Sequence, residues 1–395
     1  MKLYHQTGFR YNWNIESLLN DKTGDGLILS PVNIEQTKII NLADDLKSKS
    51  FFDPQFYLPK DAKSKLSTYD FFPANILNNL QTSDFEDIKY ELAEKCIDFQ
   101  ISNNFEYILI PNRYFEDISS ISYDQIMSYF IDPFVNYYQK LTSKPEILLS
   151  FIVKQAHIIN EENFNFLLSW LTSINDISGF YLIFENNFNS KRIKDPNYLF
   201  YVLRFIHELK SNDFIVNIGY NDIEGILFSI ANPDSITMGS YENLRRFGIR
   251  RFITTTPKKQ NPPAARLYSR QLFQFIDYRY IDAIVQMYEG WQQIFEESKY
   301  QPLMFHPGYN WHFQKPEPYK HFFLIFGKQV KELPKTINGR IGLLKDSFRK
   351  AINIFKEIDD SGIILDENSD GSHLNFWLTA LNRYEKYLKD VSHVF

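Results

Sequence analysis

One cysteine, Cys96, stands in 395 residues. A lone thiol excludes an intramolecular disulfide framework, a zinc site needing two thiolates and a CxxC redox centre. No apolar run approaches the roughly 18 to 20 residues of a membrane helix, and the opening Met1-Lys2-Leu3-Tyr4-His5 carries no signal-peptide pattern. The expectation is a soluble, cytoplasmic chain with no membrane partner. GxGxxG, GxxxxGK[ST] and GxSxG are all missing, and Asp359 to Asp370 does not follow the EF-hand order. No cofactor is expected.

Aromatic residues are plentiful: 36 Phe and 25 Tyr help bring hydrophobic residues to 44%, enough for a large core, while 23% charge keeps the surface polar. Short β-branched and aromatic runs recur, each followed by a stretch with helical spacing, which is how parallel βα units read. Eight strands are expected: Gly26 to Val32, Phe51 to Leu58, Tyr107 to Pro111, Glu146 to Val153, Gly179 to Phe184, Phe214 to Ile218, Ser235 to Met238 and Leu267 to Phe275. Glu146 to Val153 and Gly179 to Phe184 are nearly continuous apolar runs, as strands buried on both faces require. Pro54 weakens the second strand because proline cannot donate to a ladder. Asp84 is placed to cap a helix reaching about Gln100, and Asp132-Pro133 to interrupt one starting near Tyr123.

The count favours an α/β fold, a (β/α)8 TIM-like barrel over residues 1–277. A mostly helical C-terminal region, 278–395, is expected to pack on it. Within that region Arg340 to Ile358 and His373 to Asp390 read as amphipathic helices, and Phe322 to Phe326 as an extra strand or buried turn.

In such a barrel, ligands meet the loops after the strands' C-terminal ends. Asp53 and Glu185 are the catalytic candidates there, because an acid at the end of an apolar strand, once enclosed, suits proton transfer or nucleophilic attack. Asn112, Arg113, Lys154 and Asn221 are polar groups at equivalent positions and are candidate ligand contacts. The strongest anomaly is Asn243 to Ile276, which holds no acid but eight bases, including Arg245, Arg246, Arg250, Arg251, Lys258 and Arg270. Since the loops after strands 7 and 8 often build a phosphate site, this segment points to an anionic ligand, with Thr254 to Pro263 as a mobile basic loop. A solvated basic face explains the same run equally well. His306, His312 and His321 do not have metal-ligand spacing, and no metal is expected.

Two functions follow. In one, the barrel mouth binds a nucleotide or nucleic acid and strand-end carboxylates perform hydrolase or glycosyl-transfer chemistry. In the other, the barrel is a catalytically silent interaction subunit of a protein or protein–nucleic acid assembly, its surplus aromatics meeting a protein partner.

Overall fold

The computed structural model describes residues 1–59, 63–76, 85–116, 120–142, 144–187, 190–253 and 262–392. Eight parallel strands form a nearly closed barrel with helices between them. They are β1 (Lys2–Gln6), β2 (Gly26–Leu29), β3 (Phe51–Phe52), β4 (Ile108–Ile110), β5 (Ile147–Val153), β6 (Gly179–Phe184), β7 (Ile215–Gly219) and β8 (Ser235–Gly239). Their order, β3-β2-β1-β8-β7-β6-β5-β4, is chain order read around a ring. No ladder joins β3 to β4, yet the seam is held at both ends: Glu106 N donates to Ser50 O at 2.9 Å and Tyr114 N to Tyr57 O at 3.0 Å. Pro54 accounts for the shortness of β3.

Alternation along each strand separates two buried faces. Leu3, Leu29, Ile110, Leu149, Phe151 and Leu182 turn outward into a large apolar layer shared with the helices. Tyr4, Ile28, Phe51, Leu109, Leu148 and Tyr181 fill the inside. Gly219 on β7 is required there, because a Cβ would lie 2.1 Å from the Tyr181 hydroxyl. Only Asn217 and Ser235 are in register between β7 and β8. Beyond them the Asn221 side chain takes over, accepting from Thr237 N at 2.8 Å and donating to Thr237 O at 3.0 Å.

Three expectations are corrected. The strand at the N-terminus, β1, was not anticipated, since Lys2-Leu3-Tyr4-His5-Gln6 lacks a β-branched residue and buries polar His5 and Gln6. The expected eighth barrel strand, Leu267 to Phe275, is instead an antiparallel hairpin of β9 (Arg266–Ser269) and β10 (Gln274–Asp277) outside the ring. Its alternation is genuine, but the turn, with Phe273 at φ 47°, reverses the chain where a parallel strand needs a crossover. Phe322 to Phe326 lies inside the helix Glu317–Lys331, the usual ambiguity of a short apolar run. At Asp132-Pro133 the interruption takes the form of a π-turn over Met127–Ile131, as fits a proline that cannot donate to the preceding turn.

The helices Ile337–Asp360 and His373–Ser392 add Leu344, Phe348, Leu374, Trp377 and Tyr384 to the barrel's outer apolar layer. Directional bonds fix the packing: Trp377 Nε1 donates to Ile193 O at 3.0 Å, and Arg340 Nη1 to Ser229 O at 2.7 Å. Among the described residues no helix is long and apolar enough to cross a membrane. Asp84 lies outside the described residues.

Candidate functional site

After β8 the chain folds back over the barrel mouth. A short helix, Glu242–Arg245, leads to Phe247, which makes a parallel bridge with Glu185, and a 3-10 turn follows at Ile249–Phe252. Phe247 and Phe252 are buried with the barrel interior, their rings 5.3 and 5.2 Å from that of Tyr57. The first part of the basic segment is therefore anchored by two phenylalanines that plug the mouth.

Asp53 lies fully buried beside this plug. Its carboxylate accepts from Tyr57 Oη at 2.7 Å and Gln55 N at 3.1 Å. Burial drives its pKa up to about 7, against the lowering effect of those two bonds and of the Arg251 charge. Gln55 Nε2 donates to Tyr220 Oη at 2.6 Å, and Arg251 stacks on the Tyr220 ring at 4.6 Å. Glu185, at the end of β6, is also buried, and one carboxylate oxygen accepts from Tyr114 Oη at 2.9 Å. The two carboxyls thus sit in separate tyrosine-held niches.

Above them opens a cavity of about 790 Å³, lined by Arg246, Arg250 and Arg251 with Tyr114, Asn186 and Asn187 among others. Glu116 and Glu242 also line it, but Glu242 is engaged by Lys191 at 2.7 Å. Arg246 is anchored by donating to Asn186 O at 2.9 Å and Ser190 O at 3.2 Å. Arg250 is exposed. Arg251 is held by its stacking on Tyr220 and Phe252, and its Nη1 is buried with no hydrogen-bond partner. Among the described residues neither Arg250 nor Arg251 forms an ion pair. An anchored guanidinium with a donor to spare, as in Arg251, can grip a phosphate oxygen.

The other predicted residues are dispersed. Asn112 is buried and accepts from Arg113 N at 2.7 Å. Arg113 and Lys154 border a different recess, between β4 and β5, and Lys154 lies 4.2 Å over the Tyr114 ring while donating to Glu116 O. Asn221 uses its amide on Asp222 and Thr237. Arg245 turns away from the plug to stack on Phe275 at 4.0 Å. Arg270, in the β9–β10 turn, pairs with Glu332 at 2.8 Å. Lys258 lies outside the described residues, as does most of the expected basic loop. Tyr114, Glu116 and Asn187 were not anticipated; Tyr114 has the one legible signal, an aromatic directly after Asn112-Arg113 at a strand end.

His321 bonds Ser298 Oγ at 2.8 Å and Tyr268 O at 3.2 Å, while His306 and His312 are exposed. Among the described residues no group of three or more His, Cys, Asp or Glu is arranged to hold a metal ion. No family model, curated protein or solved structure matches this chain.

Proposed function

We propose that this (β/α)8 barrel binds a phosphate-bearing ligand, a nucleotide or a nucleic acid, in the cavity above the plugged mouth. The observation that carries the reading is Arg251: a guanidinium fixed between Tyr220 and Phe252, with a buried donor unused by the protein, in a cavity that Arg246 and Arg250 also line. The volume suits a nucleotide-sized ligand. Glu185 is assigned the acid–base role in hydrolysis or glycosyl transfer, because its partner Tyr114 lines this cavity. Asp53, beneath the plug, is assigned an electrostatic role toward Arg251.

Titration with ATP and with a short oligonucleotide, at several salt concentrations, tests the binding. Arg250→Ala/Arg251→Ala is expected to weaken it and to flatten the salt dependence by about one for each lost phosphate contact. Unchanged affinity and slope would reduce these arginines to a solvated face. Release of phosphate or free base that falls about 100-fold in Glu185→Gln supports the chemical role; binding without any release leaves the chain a catalytically silent binder.

A further inference from the structure

A second cavity, of about 410 Å³, lies where the barrel's loops meet the C-terminal region. Phe9 and Arg10 reach it from the loop after β1, Tyr241 and Arg245 from the loop after β8, and Phe275 and Tyr319 from the hairpin and the helix Glu317–Lys331. Aromatic and charged side chains share its lining: Tyr241 and Tyr319 meet with ring centroids 5.1 Å apart, Trp13 stacks behind Tyr319 at 5.3 Å, and Glu242, the one acid, is paired with Lys191 at 2.7 Å.

At its base is Arg245, only 8% exposed. The guanidinium lies 4.0 Å over the Phe275 ring, and both Nε and Nη1 are buried without a hydrogen-bond partner. Its closest counter-charge, Asp222 Oδ1, is 3.6 Å from Nε, beyond hydrogen-bonding range, and Asp222 Oδ2 is already taken by Arg192 at 2.6 Å. Glu224 lies 3.7 Å from Arg192, and Asp222 is the one carboxylate within 4 Å of both buried guanidiniums among the described residues. Arg266 lines the same cavity and its Nε is likewise buried and unpartnered. A buried cation with unused donors is costly unless something completes it.

We infer that this cavity is a binding site, separate from the mouth, for an aromatic ring bearing a carboxylate or phosphate, the anion seated on Arg245 and the ring between Phe275, Tyr241 and Tyr319. The charge satisfies the idle guanidinium donors, and the aromatic walls take the ring in edge or offset contact. Neither element needs the mouth arginines.

The test is calorimetric titration of the full chain with phenyl phosphate, benzoate, inorganic phosphate and benzyl alcohol. At least one aryl anion is expected to bind about tenfold or more tightly than either inorganic phosphate or benzyl alcohol, and the tighter of the two aryl anions identifies the preferred acid group. Arg245→Met, which keeps the stem and removes the charge, should weaken that binding at least about tenfold. Ala264→Trp, at an exposed position on the rim, should block it without touching the buried charges, and decides the question if Arg245→Met does not fold. Arg250→Ala/Arg251→Ala should leave it unchanged. The inference is overturned if neither aryl anion binds, if binding survives Ala264→Trp, or if it disappears with the mouth pair.

Discussion

Arg245 and Arg251 lie six residues apart in one basic run, each stacked on aromatic rings and each with a guanidinium nitrogen unused by the protein, yet they serve different surroundings. Arg245 is drawn into a buried network with Asp222, Arg192 and Glu224 at the seam between barrel and C-terminal region. Arg251 faces Asp53, whose own burial raises its hold on a proton to a pKa of about 7. The difference teaches that the number of charges in a run matters less than which carboxylate meets each one and how fully that carboxylate is desolvated. Arg245 shares a buried Asp222 with Arg192, whereas Arg251 has only Asp53, which burial pushes toward its protonated form.

The largest effect expected from this contrast is at the seam. Asp222→Asn leaves Arg192 and Arg245 buried without their main counter-charge and should destabilise the protein by roughly 3 to 5 kcal/mol, read from urea unfolding. A loss below about 1 kcal/mol would mean that Asp222 is not what balances them.

An effect of opposite sign and at most similar size is expected at the mouth. The folded-state pKa of Asp53, about 7, exceeds the ordinary value of 3.8, so burial favours its protonated form. The stability this carboxyl permits is fully present below about pH 3.8 and is lost progressively as pH rises through 7. Asp53→Asn stays neutral and keeps one acceptor oxygen for Gln55 N while its amide nitrogen faces Tyr57 Oη, so its stability relative to wild type should rise by up to about 4 kcal/mol between pH 4 and above pH 7. Denaturation curves at the two pH values check this; a pH-independent difference would show that Asp53 is ionised throughout in its niche.

Much of the barrel was legible because buried parallel strands are written as apolar runs: β5 and β6 fall within the expected Glu146 to Val153 and Gly179 to Phe184. β1 was not legible, because its inward positions carry Tyr4 and Gln6 and its outward ones Leu3 and His5, so neither an apolar run nor clean alternation marks it. The hairpin of β9 and β10 was misplaced for the opposite reason: strand chemistry is local, whereas membership of a ring is decided by where the connection turns. At the mouth, Arg246, Arg250 and Arg251 line one cavity because a single short segment carries all three. It could not separate Arg245, which the turn into Phe247 leaves facing the other cavity, nor Arg270, which the hairpin carries to Glu332. Strand-end position marks Tyr57 and Tyr114 as aromatics at the mouth, but not which carboxyl each hydroxyl holds, since the second bond joins residues 71 apart.

The most direct measurement is a crystal structure of the chain grown with ATP at a saturating concentration. A phosphate oxygen within about 3.2 Å of Arg251 Nη1, in the cavity shared with Arg246 and Arg250, is the predicted result. A mouth without nucleotide, or a nucleotide whose phosphates lie away from Arg251, would contradict it.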